Sequence, residues 1–439
     1  MFGAGLLLLA VGYPVAFTFG AVALLFGAVA ALVEVLPDPA FALFAEEFLG
    51  MFSMMPLRIY AIMTNTILMA VPLFILMGII LEKSKLAERL LESMGILFGK
   101  VRGGLAISTV LVGTLLAAST GVVGASVVAM GVISLPVMLK YGYSKHLATG
   151  TICAAGTLGQ IIPPSIVLII LGDVFQLPVG DLFRMAVGPG FALVGCYIVY
   201  IAVISLVDKK VAPAIVVREE DKKGSVARAM QAILPPLVLI VLVLGSIFAG
   251  IATPTESAAI GALGSMLLAA LYRKLSWRIV IDSSLQTVLI TSMVFAILIG
   301  ATAFSMVFVY TGADLIVEQF MTGLPGEKWG FIILSMTAIG LLGFFIDFIE
   351  ITYIVVPVLL PISQVIGIDP MWFAILIAMN LQTSFLTPPF GFSLFYLKGV
   401  CPPEVRTVDI YKGVVPFIIL QVLVLLSVVV FPDLYGFTL

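Results

Sequence analysis

Residues 156–165 read Gly156-Thr-Leu-Gly-Gln-Ile-Ile-Pro-Pro-Ser165, and residues 380–389 read Asn380-Leu-Gln-Thr-Ser-Phe-Leu-Thr-Pro-Pro389. Both stretches lie inside long apolar segments. A proline lacks the backbone N–H and clashes with the carbonyl four residues earlier, so each Pro-Pro pair predicts an interrupted helix. Lipid cannot satisfy the backbone groups that such an interruption frees. The freed groups must therefore face protein or a polar cavity.

The composition is that of a polytopic membrane protein. Of 439 residues, 62% are hydrophobic and 10% are charged, whereas soluble domains carry about 25% charged residues. The net charge of −2 says nothing about nucleic acid, but the sequence has no basic stripe, so we expect no nucleic-acid partner. Three distant cysteines and the single His146 offer neither a zinc site nor a hydrolytic triad, so we expect no enzyme.

The apolar segments divide into simple spans and two longer stretches. The long stretches, about residues 104–139 and 330–366, are interrupted centrally by polar or glycine residues. We predict that both are re-entrant helical hairpins, which enter and leave the membrane on one face. The predicted spans are residues 6–32, 59–81, 147–172, 186–207, 230–252, 254–272, 284–310, 371–397 and 414–432.

The distribution of basic residues tests this topology. With the N-terminus in the cytoplasm and the C-terminus in the periplasm, 19 of the 22 lysines and arginines lie inside. Only Arg58, Arg184 and Lys328 lie outside. If residues 104–139 crossed the membrane once, every later loop would change sides and this bias would be lost. The positive-inside rule therefore supports the first hairpin.

The two halves repeat at an offset of 225 residues. At this offset Pro136, Gly142, Pro163 and Pro164 match Pro361, Gly367, Pro388 and Pro389. The predicted topology gives the two units opposite orientations, as in secondary transporters that bind substrate and ions between inverted repeats. We predict an all-α polytopic membrane protein with an inverted-topology repeat, two re-entrant hairpins and two broken helices. Its parts are a first half (1–207), a cytoplasmic connector with a linking helix (208–252) and a second, inverted half (253–439).

The interrupted helices supply oxygen atoms at membrane depth. Freed backbone carbonyls and the hydroxyls of Thr157, Thr383, Ser384 and Thr387 could form a cage for a small hard cation such as Na⁺. The alternative is that each proline pair only kinks a structural helix. Symmetric occurrence in both halves favours the cage.

The hairpin tips are the second kind of interruption. The first tip is Ala118-Ser-Thr-Gly-Val-Val-Gly-Ala-Ser126, and the second is Gly343-Phe-Phe-Ile-Asp-Phe-Ile-Glu350. Helix N-termini at such tips carry partial positive charge and suit a carboxylate. Asp347 and Glu350 are intramembrane acids and therefore functional candidates. Asp347 could instead cap the returning helix, and Glu350 could pair with a basic residue or titrate.

Several motifs resemble the large membrane subunit of tripartite ATP-independent periplasmic (TRAP) transporters, over essentially the whole chain. They include Val71-Pro-Leu-Phe-Ile-Leu-Met-Gly78, Gly103-Gly-Leu-Ala106, the Ser119–Ser126 tip and Ile162-Pro-Pro-Ser165. They continue with Ala252-Thr-Pro-Thr-Glu256, Gly343 to Asp347 and Thr387-Pro-Pro-Phe-Gly391. Thr253-Pro-Thr-Glu256 by itself predicts a helix-starting capping box.

This resemblance implies a Na⁺-driven, elevator-type importer of small organic acids in the bacterial inner membrane. Implied partners are a small four-helix membrane subunit, as a separate chain, and a periplasmic substrate-binding protein. The Phe348-Ile-Glu350 and Gln382-Thr-Ser-Phe385 segments look like those of members that handle 2-oxo acids, lactate or similar monocarboxylates.

The resemblance also implies site residues. The first Na⁺ site would comprise Ser119, Thr120, Gly121, Gly124, Gly156, Thr157 and Pro163. The second would comprise Gly343, Asp347, Thr383, Thr387 and Pro388. We assign substrate binding to Ser119, Thr120, Gly124, Ser126, Asp347 and Glu350.

Two alternatives stay open at this stage. One is a stand-alone Na⁺/carboxylate elevator transporter without a binding protein. The other is a channel or a membrane scaffold that does not transport.

Overall fold

A computed structural model describes residues 1–36, 41–84, 90, 93–95, 97–98, 101–120, 123–214 and 225–437. Within these residues the chain is helical, and eight helices are long and apolar enough to cross a membrane. The chain divides into two compact units. The first unit comprises Met1–Leu68 and Val288–Pro370, and the second comprises Met69–Thr287 and Met371–Leu439. Each unit contains residues from both predicted halves, so the division into compact units differs from the division into sequence repeats.

The helices of the first half are short and frequently interrupted. They comprise Phe2–Val11 (α1), Val15–Val35 (α2), Phe41–Met51 (α3), Met55–Met63 (α4), Ala70–Lys83 (α5), Gly104–Thr120 (α6), Val123–Lys140 (α7), Lys145–Thr157 (α8), Ile166–Phe175 (α9) and Val179–Val207 (α10). A 3₁₀ turn, Leu158–Gln160, follows α8.

The second half begins after the connector, of which residues 215–224 lie outside the described residues. Its helices comprise Ser225–Phe248 (α11), Pro254–Leu271 (α12), Trp277–Tyr310 (α13), Ala313–Thr322 (α14), Lys328–Leu342 (α15), Phe348–Val365 (α16), Pro370–Leu386 (α17), Phe392–Val400 (α18) and Thr407–Val430 (α19). The Thr253/Glu256 capping box at the start of α12 is confirmed.

Two predicted spans are wrong as single helices. Residues 6–32 contain a break between α1 and α2, where Gly12 has φ +100° and Pro14 follows. Residues 59–81 contain a break between α4 and α5, where the Asn65 side chain accepts a hydrogen bond from the backbone N–H of Ile67 at 2.9 Å. Glycine, proline and asparagine favour turns, and their presence at these positions could have predicted both breaks. The breaks were not predicted because the sequence on both sides of each one is apolar over a long stretch.

Helices α6 and α7 form the first predicted hairpin. The hydroxyl of Tyr143, three residues beyond α7, accepts from the backbone N–H of Leu105 at 3.2 Å. Further along, Thr109 Oγ1 lies 3.4 Å from Ser134 Oγ. As residue numbers rise on α6, the partner numbers fall on α7. The arms are therefore antiparallel, and their outer ends lie at the same end of the hairpin.

The second hairpin consists of α15, a turn at residues 343–347, and α16. Helix α14 contacts both arms. The returning arm contains a π-helical stretch at Ile351–Val355, directly after Glu350. Such π-helical turns are rare and are found mostly at functional sites.

Helix boundaries repeat at the 225-residue offset. Helices α16 and α17 begin 225 residues after α7 and α8, and α16 ends 225 residues after α7. Gly142 and Gly367, which follow the two returning arms, adopt φ +81° and +75°. Because only glycine adopts this conformation readily, both matched positions require it. The helix boundaries thus repeat at the same offset as the few identical residues in the sequence.

Helix α8 lies at the centre of the second unit. It contacts α6, α7, α18 and α19, and every residue from Leu147 to Thr157 is buried. Close approach to α19 depends on two glycines. A Cβ atom on Gly150 would collide with the carbonyl oxygen of Gly413, and one on Gly413 with that of His146. Small residues allow such backbone contact between membrane helices.

The antiparallel first hairpin predicts a specific cross-link. With Cys153, Cys196 and Cys401 replaced by serine, the pair Thr109→Cys and Ser134→Cys should form a disulfide, because the native side-chain oxygens lie 3.4 Å apart. The measurement is loss of maleimide-reactive thiols after membrane-permeant oxidation and denaturation. The control pair is Thr109→Cys with Val132→Cys, since Val132 is exposed on α7. Equal thiol loss in the two pairs would contradict the hairpin register.

Candidate functional site

The first break lies between α8 and α9. Helix α8 ends at Thr157, the 3₁₀ turn follows, and the Pro163–Pro164 bond is cis. Ser165 is fully buried and serves both sides of the break. Its hydroxyl donates to the carbonyl oxygen of Gln160 at 2.6 Å and accepts from the N–H of Leu168 at 3.4 Å. One serine therefore satisfies a freed carbonyl and caps the next helix.

The first hairpin straddles this break. A Cβ atom on Gly156 would collide with the side chain of Val127 on α7. A Cβ atom on Gly159 would lie 2.5 Å from the carbonyl oxygen of Ala117 on α6. The break is thus enclosed between the two arms, next to the hairpin tip. This arrangement brings Gly156 and Thr157 beside the part of the chain that carries the predicted tip residues.

The tip residues are only partly described. Ser119 and Thr120 form the end of α6, but their side chains and all of Gly121 lie outside the described part of the structure. Ser126 is buried on α7. Gly124 is the second residue of the same helix, and a Cβ atom there would lie 2.8 Å from the ring of Tyr396 on α18. Gly124 therefore permits close packing of the hairpin against the second broken helix.

The second break lies between α17 and α18. The Pro388–Pro389 bond is cis. Thr383 and Thr387 donate from Oγ1 to carbonyl oxygens four residues earlier, at 3.0 and 2.7 Å. Ser393 donates to the carbonyl oxygen of Phe385 at 2.8 Å. Each threonine oxygen retains lone pairs, so both can still coordinate a cation.

The second hairpin tip carries the two acids, in the first unit. Gly343 ends α15, and Asp347 caps the returning arm, since its Oδ1 accepts from the N–H of Phe348 at 2.7 Å. Glu350 is 5% exposed, and its Oε2 has no hydrogen-bond partner among the described residues. The residues of the second predicted ion site thus belong to different units, because Thr383, Thr387 and Pro388 lie in the other one. That site stays a prediction.

Several buried polar side chains were not predicted as site residues from the sequence, and three of them lie near one another in the second unit. Tyr197 on α10, Gln382 on α17 and Gln421 on α19 are at most 1% exposed. Gln421 Nε2 approaches Thr157 Oγ1 at 3.4 Å. The signal that could have found them was an uncharged amide in the middle of an apolar span, which is costly in lipid unless it meets another polar group. These residues carry no charge that would single them out in the sequence. Thr157 and Gln421 are also 264 positions apart, so their contact could not be predicted from spacing.

Metal-ligating clusters of acidic, histidine and cysteine residues were also sought. In the described ranges, no three such side chains lie close enough to hold a metal ion. The oxygens around the first break come instead from hydroxyls and backbone carbonyls. Such a neutral set suits a weakly held monovalent cation rather than a zinc-type centre.

Comparison with known proteins identifies the family. Residues 2–434 match the family described as Tripartite ATP-independent periplasmic transporter, DctM component. The chain belongs to this family. The DctM-family chain is therefore a multi-pass transport protein of the bacterial inner membrane, and not an enzyme. The resemblance seen in the sequence motifs is confirmed.

Individual relatives of the DctM-family chain differ in their substrates. It is 32% identical over 335 residues to the C4-dicarboxylate TRAP transporter large permease protein DctM of Pseudomonas aeruginosa. This match covers 76% of this chain and 77% of the Pseudomonas protein. It is 31% identical over 363 residues to the isethionate TRAP transporter permease protein DctMQ of Oleidesulfovibrio alaskensis. That match covers 82% of this chain but 56% of DctMQ, so the chain spans just over half of DctMQ.

A solved structure shares the fold. The DctM-family chain superposes on the Alcanivorax borkumensis YdaH transporter, described as having an unusual topology, with a TM-score of 0.66. The superposition covers 98% of this chain and 99% of YdaH at 14% sequence identity. The likeness therefore extends over the complete architecture and concerns the fold alone.

Packing around the first break generates a prediction. Gly156→Ala should destabilise the protein by about 1–3 kcal/mol, because the added methyl group meets Val127 in a filled core. Combining it with Val127→Ala should recover most of the loss. Thermal unfolding in detergent measures the effect. Gly195→Ala is the control, since a Cβ atom there meets nothing within 4 Å. An unchanged melting temperature for Gly156→Ala alone would contradict this packing.

Proposed function

We propose that this chain is the large permease of a Na⁺-coupled, binding-protein-dependent importer of a small organic acid. The observation that carries the proposal is the interrupted α8–α9 segment enclosed by the first hairpin, which gathers hydroxyl and carbonyl oxygens where a membrane helix would be continuous. The tripartite family description supports separate partners. We expect a small four-helix membrane subunit and a periplasmic substrate-binding protein.

The first break has the chemistry of a Na⁺ site. Thr157 is fully buried and uses its proton on the carbonyl oxygen of Ala154 at 2.9 Å, which leaves the hydroxyl oxygen as an acceptor. Carbonyls near Gly156 and Pro163 and the tip residues Ser119, Thr120, Gly121 and Gly124 would complete the set. Na⁺ would neutralise part of the charge of an incoming carboxylate. Binding of the cation would therefore favour binding of the anion at the same depth.

The substrate class is inferred from charge and relatives. The relatives are named for C4-dicarboxylates, isethionate and, in the case of TeaC of Halomonas elongata, ectoine, all of which carry an acidic group. For this chain we propose a small monocarboxylate such as a 2-oxo acid or lactate. Its carboxylate would contact the first tip, including Gly124 and Ser126. The assignment of Asp347 and Glu350 to substrate binding stays a separate prediction from the sequence.

The packing of the second unit supports movement of the first hairpin as one body with the broken helices. Gly124 and Gly131 of α7 bring it against Tyr396 and Leu397 of α18. Such close backbone packing resists independent displacement of α7. We propose that this block moves in an elevator motion during transport.

Transport assays test the function directly. Proteoliposomes that contain this chain and its small membrane partner should take up substrate only with the cognate binding protein outside and an inward Na⁺ gradient. The substrate is first chosen by thermal shift of that binding protein against 2-oxo acids, lactate, C4-dicarboxylates, isethionate and ectoine. Equal uptake by this chain alone would contradict the tripartite assignment and support the stand-alone transporter.

Substitutions test the predicted second ion site. Asp347→Asn, or Thr383→Ala with Thr387→Ala, should raise the Na⁺ concentration for half-maximal uptake about tenfold or more, since each removes charge-assisted or hydroxyl ligands worth about 1.5–3 kcal/mol. Assembly with the partner subunit should be unchanged. Thr337→Ala is the control, because Thr337 is exposed on α15 and bonds only locally, to the carbonyl of Ile333. Unaltered Na⁺ activation in both variants would remove these residues from the site.

A further inference from the structure

A line of buried polar side chains crosses the second unit between the two broken helices. Thr157 ends α8 at the first break, and Gln421 of α19 donates from Nε2 to its hydroxyl oxygen at 3.4 Å. The hydroxyl of Tyr197 on α10 lies near the side-chain amides of Gln421 and Gln382 but forms a hydrogen bond with neither. Gln382 directly precedes Thr383, which begins the last turn of α17 before the second break. The line therefore runs from one break to the other.

Packing fixes the positions of the helices that carry this line. The ring of Tyr197 packs edge-on against Phe417 of α19, with centroids 5.2 Å apart. Trp372 of α17 donates from its indole nitrogen to the carbonyl oxygen of Val428 on α19 at 3.0 Å. Helix α19 is thus held to α10 and to α17 on either side of Gln421. The three helices therefore cannot separate here without breaking these contacts.

The line has unused hydrogen-bonding capacity. In the described part of the chain, neither amide atom of Gln382, nor Gln421 Oε1, nor the Tyr197 hydroxyl forms a hydrogen bond. Buried polar atoms seldom remain so, because their desolvation is then uncompensated. Small rotations of the three side chains would change which atoms pair. The arrangement is therefore suited to switching between alternative hydrogen-bond patterns.

We propose that Gln421, Tyr197 and Gln382 are positioning residues that couple cation binding at the two breaks. This inference rests on the Na⁺ coupling proposed above. A cation at Thr157 draws the hydroxyl lone pairs toward itself and releases Gln421 Nε2. The freed amide turns to the Tyr197 oxygen, and the Tyr197 hydroxyl then donates to Gln382 Oε1. That bond holds the last turn of α17, and with it Thr383, in one arrangement.

The thermodynamic consequence is positive cooperativity between the two cations. Occupation of the first break lowers the cost of ordering the second, so each cation raises the affinity for the other by the same factor. None of the three side chains needs to touch a cation. Their removal should therefore weaken the coupling between sites while both sites remain able to bind.

The test is equilibrium binding of ²²Na⁺ to the full chain in lipid nanodiscs, with choline as the replacement cation. The parent protein should bind Na⁺ with a Hill coefficient well above 1. Tyr197→Phe keeps the ring against Phe417 and removes only the hydroxyl, and Gln421→Leu removes the amide. Either variant should lower the Hill coefficient to about 1 and raise half-saturation severalfold, with unchanged stoichiometry. The double variant should add little to either single one, because all three residues act in one line.

The matched control is Tyr200→Phe. Tyr200 lies on the same helix and packs edge-on against the same Phe417 ring at 5.2 Å, but it is only partly buried. This variant should retain the parent's cooperativity. A parent protein without saturable Na⁺ binding would overturn the proposed coupling ion and this inference together. Cooperative binding that persists in folded Tyr197→Phe and Gln421→Leu would overturn the relay alone.

Discussion

A helix that is interrupted inside a membrane must find protein partners for the backbone groups it frees, because lipid offers none. At the first break, Ser165 satisfies the carbonyl of Gln160 and caps α9 within the same turn. The two arms of the first hairpin then enclose the break from both sides. Every other feature of this region follows from that enclosure: the glycines that allow it, the burial of α8, and the concentration of uncharged oxygens in a place where apolar side chains would otherwise pack.

The glycines explain how so many elements converge on one helix. Gly150, Gly156 and Gly159 bring α8 and the turn after it to within backbone contact of α19, α7 and α6, respectively. None of these positions has a positive φ, so the requirement is for space and not for an unusual conformation. Gly156 was predicted as a member of the first ion site, where a glycine can offer only its backbone carbonyl. The structure adds an independent packing reason for glycine there, and the two roles are compatible because one uses the carbonyl and the other the absent side chain.

The fold places polar groups inside the membrane segments, and these groups connect the fold with transport. Charged groups are rare within the hairpins, and Asp347 and Glu350 stand together in the second one, beside a π-helical stretch. The first break carries no acid at all. An ion bound there, as proposed above, would be held by neutral oxygens and could leave again, as a transport cycle requires. The buried amides of Gln382 and Gln421 add a second kind of polarity. An uncharged amide does not attract an ion strongly, but it costs free energy wherever it lacks a hydrogen-bond partner.

The sequence by itself determined the membrane class, both hairpins, both broken helices, the 225-residue repeat and the family, because these depend on local chemistry: apolar length, proline pairs and the sidedness of charge. It did not reveal the breaks at Gly12 and Asn65, since continuous hydrophobicity hid short turn signals there. Nor did it reveal the partners of Thr157. Only the tertiary structure decided that Gln421, 264 residues away in the chain, approaches its hydroxyl. The physical reason is that packing of α8 on α19 is a contact between distant segments of small and apolar residues. Their sequence specifies burial but not which helix provides it.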